Sequence, residues 1–323
     1  MNSQNILITG ISGQDGLFLT DYLLSNKLSN FKVFGVSRQN PKAILKKLKT
    51  LNNETPEVEI YNTDLTNSTE TFNLINRIKP SQIYNLSGPS SVYDSLSNEV
   101  FFQETINLIF DNLANSCIKQ NHFPAFFQAC SSEMFSIKNT MPLNEHSIFE
   151  PRSPYARAKY EVFNKVNSLK EQFDWNIKSG IMFNHESEFR GKDYLFMKIF
   201  NSAKKIKNNE MKYFELGSAE LLRDWSFAGD IAKAIFLINQ SDKNNNFIIG
   251  SGISTSISEI VEKVFSLYDL KPENYLVINP KLLREGDPLK IYSDPSLLKS
   301  ELNWIPQLSV DDLLERIFNR IKY

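Results

Sequence analysis

The stretch NILITGISGQDGLFLTDYLLSN, residues 5–26, decides the fold of this chain. Its first residues form a β-branched run that ends in Gly10, and the leucines that follow approximate one apolar face of a helix. The stretch therefore predicts a strand, a tight turn and a helix. Gly10, Gly13 and Gly16 give the turn the pattern GxxGxxG. Such glycines either serve only the turn or also let the backbone approach a pyrophosphate at the helix N-terminus.

Five further runs have strand character and alternate with helical stretches: 32–38, 57–65, 81–88, 125–132 and 176–184. This alternation implies right-handed crossovers and a parallel sheet covered on both faces. The predicted fold is a doubly wound α/β domain over residues 1–184. Residues 185–323 lose the alternation and are interpreted mainly as a smaller C-terminal lobe. Within them, the turn and helix of 223–250 are expected to return to the main domain.

Composition narrows the classes of partner. The chain has 323 residues with 36 Lys and Arg and 37 Asp and Glu, so its net charge of −1 favours neither nucleic acid nor an anionic membrane. Cys117 and Cys130 have apolar neighbours, as free thiols of a reducing compartment do, and the scattered histidines predict no metal site. Neither a signal peptide nor a run of about 18 apolar residues is present. We expect a cytoplasmic protein without nucleic-acid or membrane partners.

The segment PYARAK, residues 154–159, places two reactive side chains one helical turn apart. Tyr155 and Lys159 are separated by four positions and share one face of a predicted helix. An ammonium beside a phenol lowers the pKa of the phenol, which makes a tyrosine a usable base. The alternative is an exposed helix with an incidental pair.

Two residues at strand ends bear on the choice of dinucleotide. Arg38 follows the second predicted strand, where an acidic residue would bond a ribose 2′-hydroxyl. A cation suits a 2′-phosphate instead, so NADP is expected in preference to NAD. Asp64 follows the third predicted strand, and it either bonds the adenine amino group or caps the next helix.

Five segments together resemble the GDP-mannose 4,6-dehydratase branch of the extended short-chain dehydrogenase/reductase family. They occur in the family's order over nearly the whole chain: GISGQDG at 10–16, QACSSEMF at 128–135, PRSPYARAK at 151–159, FNHESEFRG at 183–191 and LRDWSFAGDI at 222–231. The resemblance implies a Rossmann domain that binds NADP. It also implies that the C-terminal lobe binds a nucleotide-diphosphate sugar.

The resemblance assigns roles to individual residues. Tyr155 is the expected base at the C4 hydroxyl of the sugar, and Lys159 is expected to hold the nicotinamide ribose. The implied cofactor residues are Gly10, Ser12, Gly13, Gln14, Asp15, Gly16, Arg38, Asp64, Leu65, Leu86, Ser87, Ser90, Tyr155, Lys159, His185 and Arg190. The implied substrate residues are Ser91, Ser132, Asn184, Lys198, Arg223 and Arg284. The three cations among them are expected near the diphosphate.

The sequence SSE at 131–133 bears on the reaction. A plain oxidoreductase needs only a hydroxyl beside the tyrosine, whereas a 4,6-dehydratase also needs a carboxylate that moves protons. Ser131 corresponds to the family's catalytic threonine and Glu133 to its catalytic glutamate. Ser132 lies where dTDP-glucose dehydratases carry an aspartate, so Glu133 is expected to act as both base and acid. The alternative is a cap at the start of a helix.

Departures from the family pattern affect the assembly and the substrate. After Arg38 the chain reads QNPKAIL. In the family this position has a segment that leads into a long loop, and that loop makes contacts in the tetramer. A homodimer is therefore expected, with a tetramer as the alternative. Five substitutions are expected to lie near the sugar and cofactor, so the hexose need not be mannose: Ser91, Phe102, Phe110, Glu188 and Phe189.

The leading hypothesis is a dehydratase that converts a GDP-hexose to a GDP-4-keto-6-deoxy-hexose. The steps are transient oxidation at C4, loss of water across C5 and C6, and return of hydride to C6. GDP-mannose is the default substrate and GDP-N-acetylglucosamine its rival. The alternative enzyme is a sugar nucleotide 4-reductase or 4-epimerase, which would not need Glu133. The contrasting class is a non-catalytic NADP-binding regulator, a class that typically lacks the Tyr155 and Lys159 pair.

Overall fold

A computed structural model describes residues 4–26, 31–52, 56–243, 245–283 and 286–321. The strands are β1 (Gln4–Thr9), β2 (Phe31–Val36), β3 (Val58–Tyr61), β4 (Gln82–Asn85), β5 (Ala125–Ser131), β6 (Ile177–Met182), β7 (Asn184–Glu186), β8 (Phe214–Leu216), β9 (Leu222–Phe227), β10 (Phe247–Ile249), β11 (Ser254–Ser256), β12 (Leu276–Ile278) and β13 (Lys290–Ile291). The helices are α1 (Gln14–Ser25), α2 (Pro41–Asn52), α3 (Ser68–Ile78), α4 (Val92–Ser97), α5 (Glu99–Lys119), α6 (Pro154–Phe173), α7 (Leu195–Lys207), α8 (Ala228–Gln240), α9 (Ile257–Leu267), α10 (Ser296–Leu302) and α11 (Val310–Ile321). No helix in these ranges is both long and apolar enough to cross a membrane.

Seven strands form one sheet in the order β10-β6-β5-β4-β1-β2-β3, and every neighbouring pair is parallel. The chain leaves β1 towards β2 and β3 on one side, then crosses to β4 and continues outwards to β6. The order therefore reverses between β1 and β4, which is where such sheets bind ligands. The predicted doubly wound α/β fold is confirmed.

The sheet is buried on both faces, as the apolar runs of its strands require. Along β1, Ile6 and Ile8 pack in the same apolar cluster as Leu17 of α1. Leu7, between them, packs in the cluster that contains Ile109 of α5 and residues of α6. This alternation follows from the two-residue period of a strand. Helix α1 thereby holds the glycine turn against one end of the sheet.

The C-terminal part of the chain contributes strands both to the large sheet and to a smaller one. A smaller sheet has the order β11-β9-β13, with β7 parallel to β9, and β8 pairs with β12. Helix α8 packs against α1, and β10 pairs with β6, so residues 228–249 lie with the large sheet whereas β9 lies in the small one. The division of the chain at residue 184 stays a prediction.

The side chain of Asp224 in β9 binds two loops. Its Oδ1 accepts hydrogen bonds from the backbone N–H and the hydroxyl of Ser251, at 2.8 and 2.6 Å. Its Oδ2 accepts from Gly252 N at 3.0 Å and from the N and Oγ of Ser293 at 3.1 and 2.5 Å. Asp224 is only 1% exposed, so its charge is solvated by these donors alone among the described residues. The carboxylate therefore fixes the loops after β10 and β13 on the small sheet.

Replacement of this carboxylate is expected to weaken the fold. In Asp224→Asn an amide N–H₂ would face backbone N–H groups, and charge-assisted hydrogen bonds would be lost. We expect the free energy of unfolding in urea to fall by roughly 2–4 kcal/mol. Asp242→Asn, an exposed residue after α8, is the matched control and is expected to change it little. Equal stability of the two variants would contradict this role of Asp224.

Candidate active site

The turn after β1 has the shape of a phosphate cradle. Gly10 adopts φ +70°, and a Cβ there would lie 2.7 Å from the carbonyl oxygen of Leu86. A Cβ at Gly16 would lie 2.5 Å from Cα of Ile11. The N-cap residue of α1 is Gly13, and no side chain caps the helix there. The first N–H groups of the helix can therefore donate hydrogen bonds to a ligand. These features fit the pyrophosphate of a dinucleotide.

A buried ion pair lies beside this turn. His185 Nε2 is 2.9 Å from Asp15 Oδ1, and His185 Nδ1 is 2.7 Å from the carbonyl oxygen of Phe183. Both neighbours are acceptors, which favours an imidazolium with a proton on each nitrogen. Burial lowers the pKa of His185, but the attraction of Asp15 outweighs it and the pKa is raised. Burial raises the pKa of Asp15, and His185 reverses this, so the pKa of Asp15 is lowered.

Gln14 strengthens the same junction between the turn and β7. Its Nε2 donates to the carbonyl oxygen of His185 at 2.8 Å, and its Oε1 accepts from the Ser187 hydroxyl at 2.8 Å. Gln14 is 5% exposed and Ser187 is fully buried. Three predicted cofactor residues, Gln14, Asp15 and His185, are thus brought together.

Arg190, also a predicted cofactor residue, belongs to a second polar chain. Its Nε lies 3.3 Å from Oε2 of Glu186, a buried carboxyl whose pKa is raised by that burial. Its guanidinium carbon lies 3.8 Å from the ring centroid of Tyr194. Glu186 and Tyr194 are not predicted as site residues from the sequence, because the charged segment HESEFRGKDY is typical of a solvated loop.

The predicted catalytic residues meet at the carboxyl end of β5. Ser131 ends β5, Glu133 lies in the short 3₁₀ turn Ser132–Met134, and Tyr155 lies in the first turn of α6. Ser131 Oγ accepts from Glu133 N at 3.3 Å, so Ser131 does cap that turn. The same side chain forms a hydrogen bond with the Tyr155 phenol. The cap and a catalytic role of the hydroxyl are therefore compatible.

The expected lowering of the tyrosine pKa is not found. Burial raises the pKa of Tyr155, the hydrogen bond with Ser131 lowers it in part, and the charge of Glu133 raises it again. Lys159 Nζ donates to the carbonyl oxygen of Ala129 at 2.9 Å and lies 5.8 Å from the tyrosine ring centroid. Burial also lowers the pKa of Lys159. Tyr155 is therefore a neutral phenol at pH 7 in this state.

The predicted adenosine end of the site lies beyond β2 and β3. Arg38 is exposed. Asp64 accepts from the N–H and hydroxyl of Thr66 at 3.0 and 2.8 Å, and these bonds, with a smaller effect of Arg38, lower the pKa of Asp64. The cap of α3 is Asn67, so the interpretation of Asp64 as a helix cap is wrong. The contact of Asp64 with adenine stays a prediction.

The remaining predicted cofactor residues lie in the loops that follow β1, β3 and β4. Leu65 is a core residue at 5% exposure, and only its backbone, which accepts from Asn112 Nδ2 at 2.9 Å, faces polar groups. Ser12 Oγ accepts from the Ser37 hydroxyl at 2.9 Å. Leu86 and Ser87 are partly buried in the loop after β4, where Ser90 is exposed.

The predicted substrate residues that the structure describes belong to different strands, helices and turns. Arg223 is buried, and its Nη2 lies 2.7 Å from Asp287 Oδ1, so a diphosphate would have to share it with that carboxylate. Ser132 is buried beside Glu133, Lys198 is exposed on α7, and Asn184 begins β7. Arg284 lies outside the described residues. Their contacts with a substrate stay predictions.

Three of the five residues expected near the sugar and cofactor have partners within the fold, and their proximity to a ligand stays a prediction. Glu188 is bonded by Arg316 of α11 at 2.8 Å, and the Phe189 ring lies 5.8 Å from that of Phe18 in α1. Phe110 is 1% exposed in the core. These side chains therefore pack within the fold.

The other two substitutions line a cleft of about 560 Å³ at the loop after β4. Its wall consists of Gly88, Pro89, Ser90, Ser91, Asp94, Asn98, Phe101, Phe102 and Tyr194. Ser91 also caps α4, accepting from Asp94 N at 3.1 Å. Phe102 packs in the same apolar cluster as Tyr155. Asp94 of the cleft wall belongs to α4, which packs against α6, so the cleft adjoins the helix that carries Tyr155.

The ion pair predicts a specific pH dependence of stability. The raised pKa of His185 gives a contribution that is complete below its unfolded value of 6.5 and is lost as pH rises through the folded value. The lowered pKa of Asp15 gives one that is complete above 3.8 and is lost as pH falls through the folded value. The destabilisation caused by Asp15→Asn should therefore be largest between these values and shrink above pH 6.5.

Urea unfolding of both proteins across pH 4–8 measures this dependence, and His185 can be titrated by NMR. His146→Gln, an exposed histidine, is the control and should change the profile little. A destabilisation by Asp15→Asn that does not vary with pH would show that the pair is not ionic.

Comparisons with known proteins identify the family. The family model described as GDP-mannose 4,6 dehydratase matches residues 7–317. A Drosophila melanogaster protein named GDP-mannose 4,6 dehydratase is 31% identical, over 95% of this chain and 83% of its own.

Solved structures show the same fold at low identity. UDP-glucose 4-epimerase from Thermotoga maritima has TM-score 0.84 and 19% identity, covering 99% of both chains. dTDP-glucose 4,6-dehydratase from Bacillus anthracis, in complex with NAD, has TM-score 0.84 and 18% identity, covering 99% of this chain and 97% of its own. The chain folds like these enzymes, and by its sequence it belongs to the GDP-mannose 4,6-dehydratase family.

Proposed function

We propose that the protein is a hydro-lyase that converts a GDP-hexose to a GDP-4-keto-6-deoxy-hexose. The observation that carries this proposal is the position of Glu133 beside Tyr155 and Ser131, close enough for its charge to raise the pKa of the phenol. A 4-reductase or 4-epimerase needs the phenol and the hydroxyl but no carboxylate. The fold does not separate these activities, because an epimerase shares it.

A nicotinamide dinucleotide is the cofactor that this site suits. The residues that would hold it are the glycine turn, for the pyrophosphate, and Lys159, for the nicotinamide ribose. The exposed cation of Arg38 supports NADP over NAD. When bound, the nicotinamide supplies a hydride acceptor for C4, a hydride donor for C6 and a positive charge.

The side chains then have separate tasks in moving protons. Tyr155 accepts the proton of the C4 hydroxyl, with its phenol oriented by Ser131. Burial keeps the phenol protonated in the free protein. A positive charge near the phenol must therefore lower its pKa before Tyr155 can act as a base. Glu133 takes the C5 proton, which the C4 ketone makes acidic, and delivers it to the C6 hydroxyl as the C6–O bond breaks and water leaves. Addition of hydride at C6 would leave an enolate, whose C5 carbon takes up a proton from solvent while Tyr155 releases to solvent the proton that it accepted.

We also propose that the protein forms a homodimer, with a tetramer as the alternative. Support comes from apolar side chains that α4 and α5 leave exposed: Tyr93, Leu96, Val100 and Phe101, at 73, 58, 66 and 53%. Such a patch is large for a monomer surface. Cys117 and Cys130 are buried free thiols, which supports the reducing cytoplasm as the location.

The test of the proposed function is incubation with a panel of nucleotide sugars, followed by mass spectrometry. GDP-mannose and GDP-N-acetylglucosamine are the first two members, and dTDP- and UDP-hexoses complete it. We expect one GDP-hexose to lose a water without added cofactor, and Tyr155→Phe to abolish the change. Products of unchanged mass but altered C4 configuration would support the epimerase instead.

Replacement of Glu133 separates dehydration from simple oxidation. Glu133→Gln keeps the side-chain shape but cannot accept a proton, so C4 oxidation should survive while elimination stalls. We expect reduced-nicotinamide absorbance to accumulate, with washout of a C5 deuterium label slowed roughly a hundredfold or more. Glu150→Gln, on a half-exposed carboxylate bonded by Lys138, is the control. Normal washout in Glu133→Gln would assign the proton transfer to another group.

Replacement of Arg38 tests the choice between the two dinucleotides. Loss of a charge-assisted contact with a 2′-phosphate should weaken NADP binding by roughly tenfold in Arg38→Ala and leave NAD binding unchanged. Tryptophan fluorescence titration with each dinucleotide measures both affinities. Lys42→Ala removes an exposed cation of α2 and is the control. Equal losses for NADP and NAD would exclude recognition of the 2′-phosphate by Arg38.

A further inference from the structure

Tyr194 connects two walls of the cleft that adjoins the helix carrying Tyr155. Its hydroxyl lies 2.6 Å from the hydroxyl of Ser90, although 104 positions separate them in the chain. Ser90 belongs to the loop after β4, whereas Tyr194 is the residue that caps α7. Arg190 covers the Tyr194 ring at 3.8 Å and is itself paired with the buried Glu186. The tyrosine is therefore held in place from two sides.

The position of Tyr194 brings it into the site of the reaction. It lines the same cleft as Asp94 of α4, and α4 packs against α6, the helix that carries Tyr155. Its phenol is also near enough to Tyr155 to contribute to the raised pKa of that residue, after burial and Glu133. A ligand that presents a hydroxyl to Tyr155 would thus meet Tyr194 at the cleft wall.

The chemistry of the hydroxyl pair selects the kind of group it can bind. The mutual hydrogen bond uses one of its two protons, which leaves one donor and several lone pairs. Both groups are neutral and so match a sugar hydroxyl better than a phosphate, for which arginine forks are suited. A site that bonds a particular hydroxyl discriminates strongly against a sugar without it.

We propose that Tyr194 is a specificity-determining residue that donates or accepts a hydrogen bond at a hydroxyl of the hexose. Ser90 and Arg190 hold its phenol in position for this contact. The inference rests on the proposed function, because the hexose must place its C4 hydroxyl at Tyr155. It adds a contact to the sugar that is separate from the base and the carboxylate.

The experiment compares Tyr194→Phe with wild type, using the GDP-hexose that the panel identifies. The substitution removes one oxygen and keeps the ring under Arg190. We expect KM for the GDP-hexose to rise roughly three- to tenfold, the effect of one neutral hydrogen bond, with kcat within about twofold. The inhibition constant of GDP, which lacks the hexose, and the affinity for NADP should stay unchanged. Tyr213→Phe, at an exposed tyrosine after α7, is the control.

The outcomes separate this inference from the proposed function. An active wild type with an unchanged KM in Tyr194→Phe would overturn the inference and leave the function intact. A parallel rise in KM and in the GDP inhibition constant would indicate a general disturbance of the cleft and would also overturn it. Weakened NADP binding with unchanged KM would assign Tyr194 to the cofactor, again against the inference. A wild type that dehydrates no member of the panel would overturn both.

Discussion

The buried ion pair between Asp15 and His185 is the contact on which the rest of the candidate site depends. Asp15 is the second residue of α1, within the glycine motif, and His185 lies in β7, where the chain enters its C-terminal part. Because β7 pairs with β9, the pair also fixes the small sheet relative to the phosphate turn. Removal of His185 would leave the buried carboxylate of Asp15 without this partner, which is far more destabilising than loss of a surface pair. Two regions distant in sequence are thereby held in one arrangement.

Local sequence patterns were sufficient to predict most strands of the large sheet. Strands β1 to β6 are apolar runs bounded by turn residues, and the glycine turn marked the point where a helix must begin. Strand β10 was not predicted as a strand, because Phe247–Ile249 is only three residues long and follows an asparagine-rich loop. Apart from β9, the strands of the small sheet have only two or three residues and give no usable period for the same reason. Their pairing depends on partners such as Asp224, which local sequence does not show.

The candidate site was predictable where its residues are neighbours in the chain. Tyr155 with Lys159 and Ser131 with Glu133 are motifs within a single turn. Sequence spacing identified the ammonium near the phenol but not the burial that dominates the pKa of Tyr155. Contacts between residues that are distant in the chain could not be predicted either: Arg316 bonds Glu188 across 128 positions, and no local pattern indicates this pair.

The late position of β10 in the chain has a consequence for synthesis in the cell. Until residues 247–249 leave the ribosome, the edge of β6 lacks the strand that covers it, and α8 is not yet available to shield β5 and β6. An unpaired edge beside bare apolar surface invites association with other chains. The growing chain therefore exposes this edge from the completion of β6 at residue 182 until β10 begins at residue 247, which is about a fifth of its length. A fragment ended near residue 184 would keep this defect permanently, so that point in the chain is a poor place to cut.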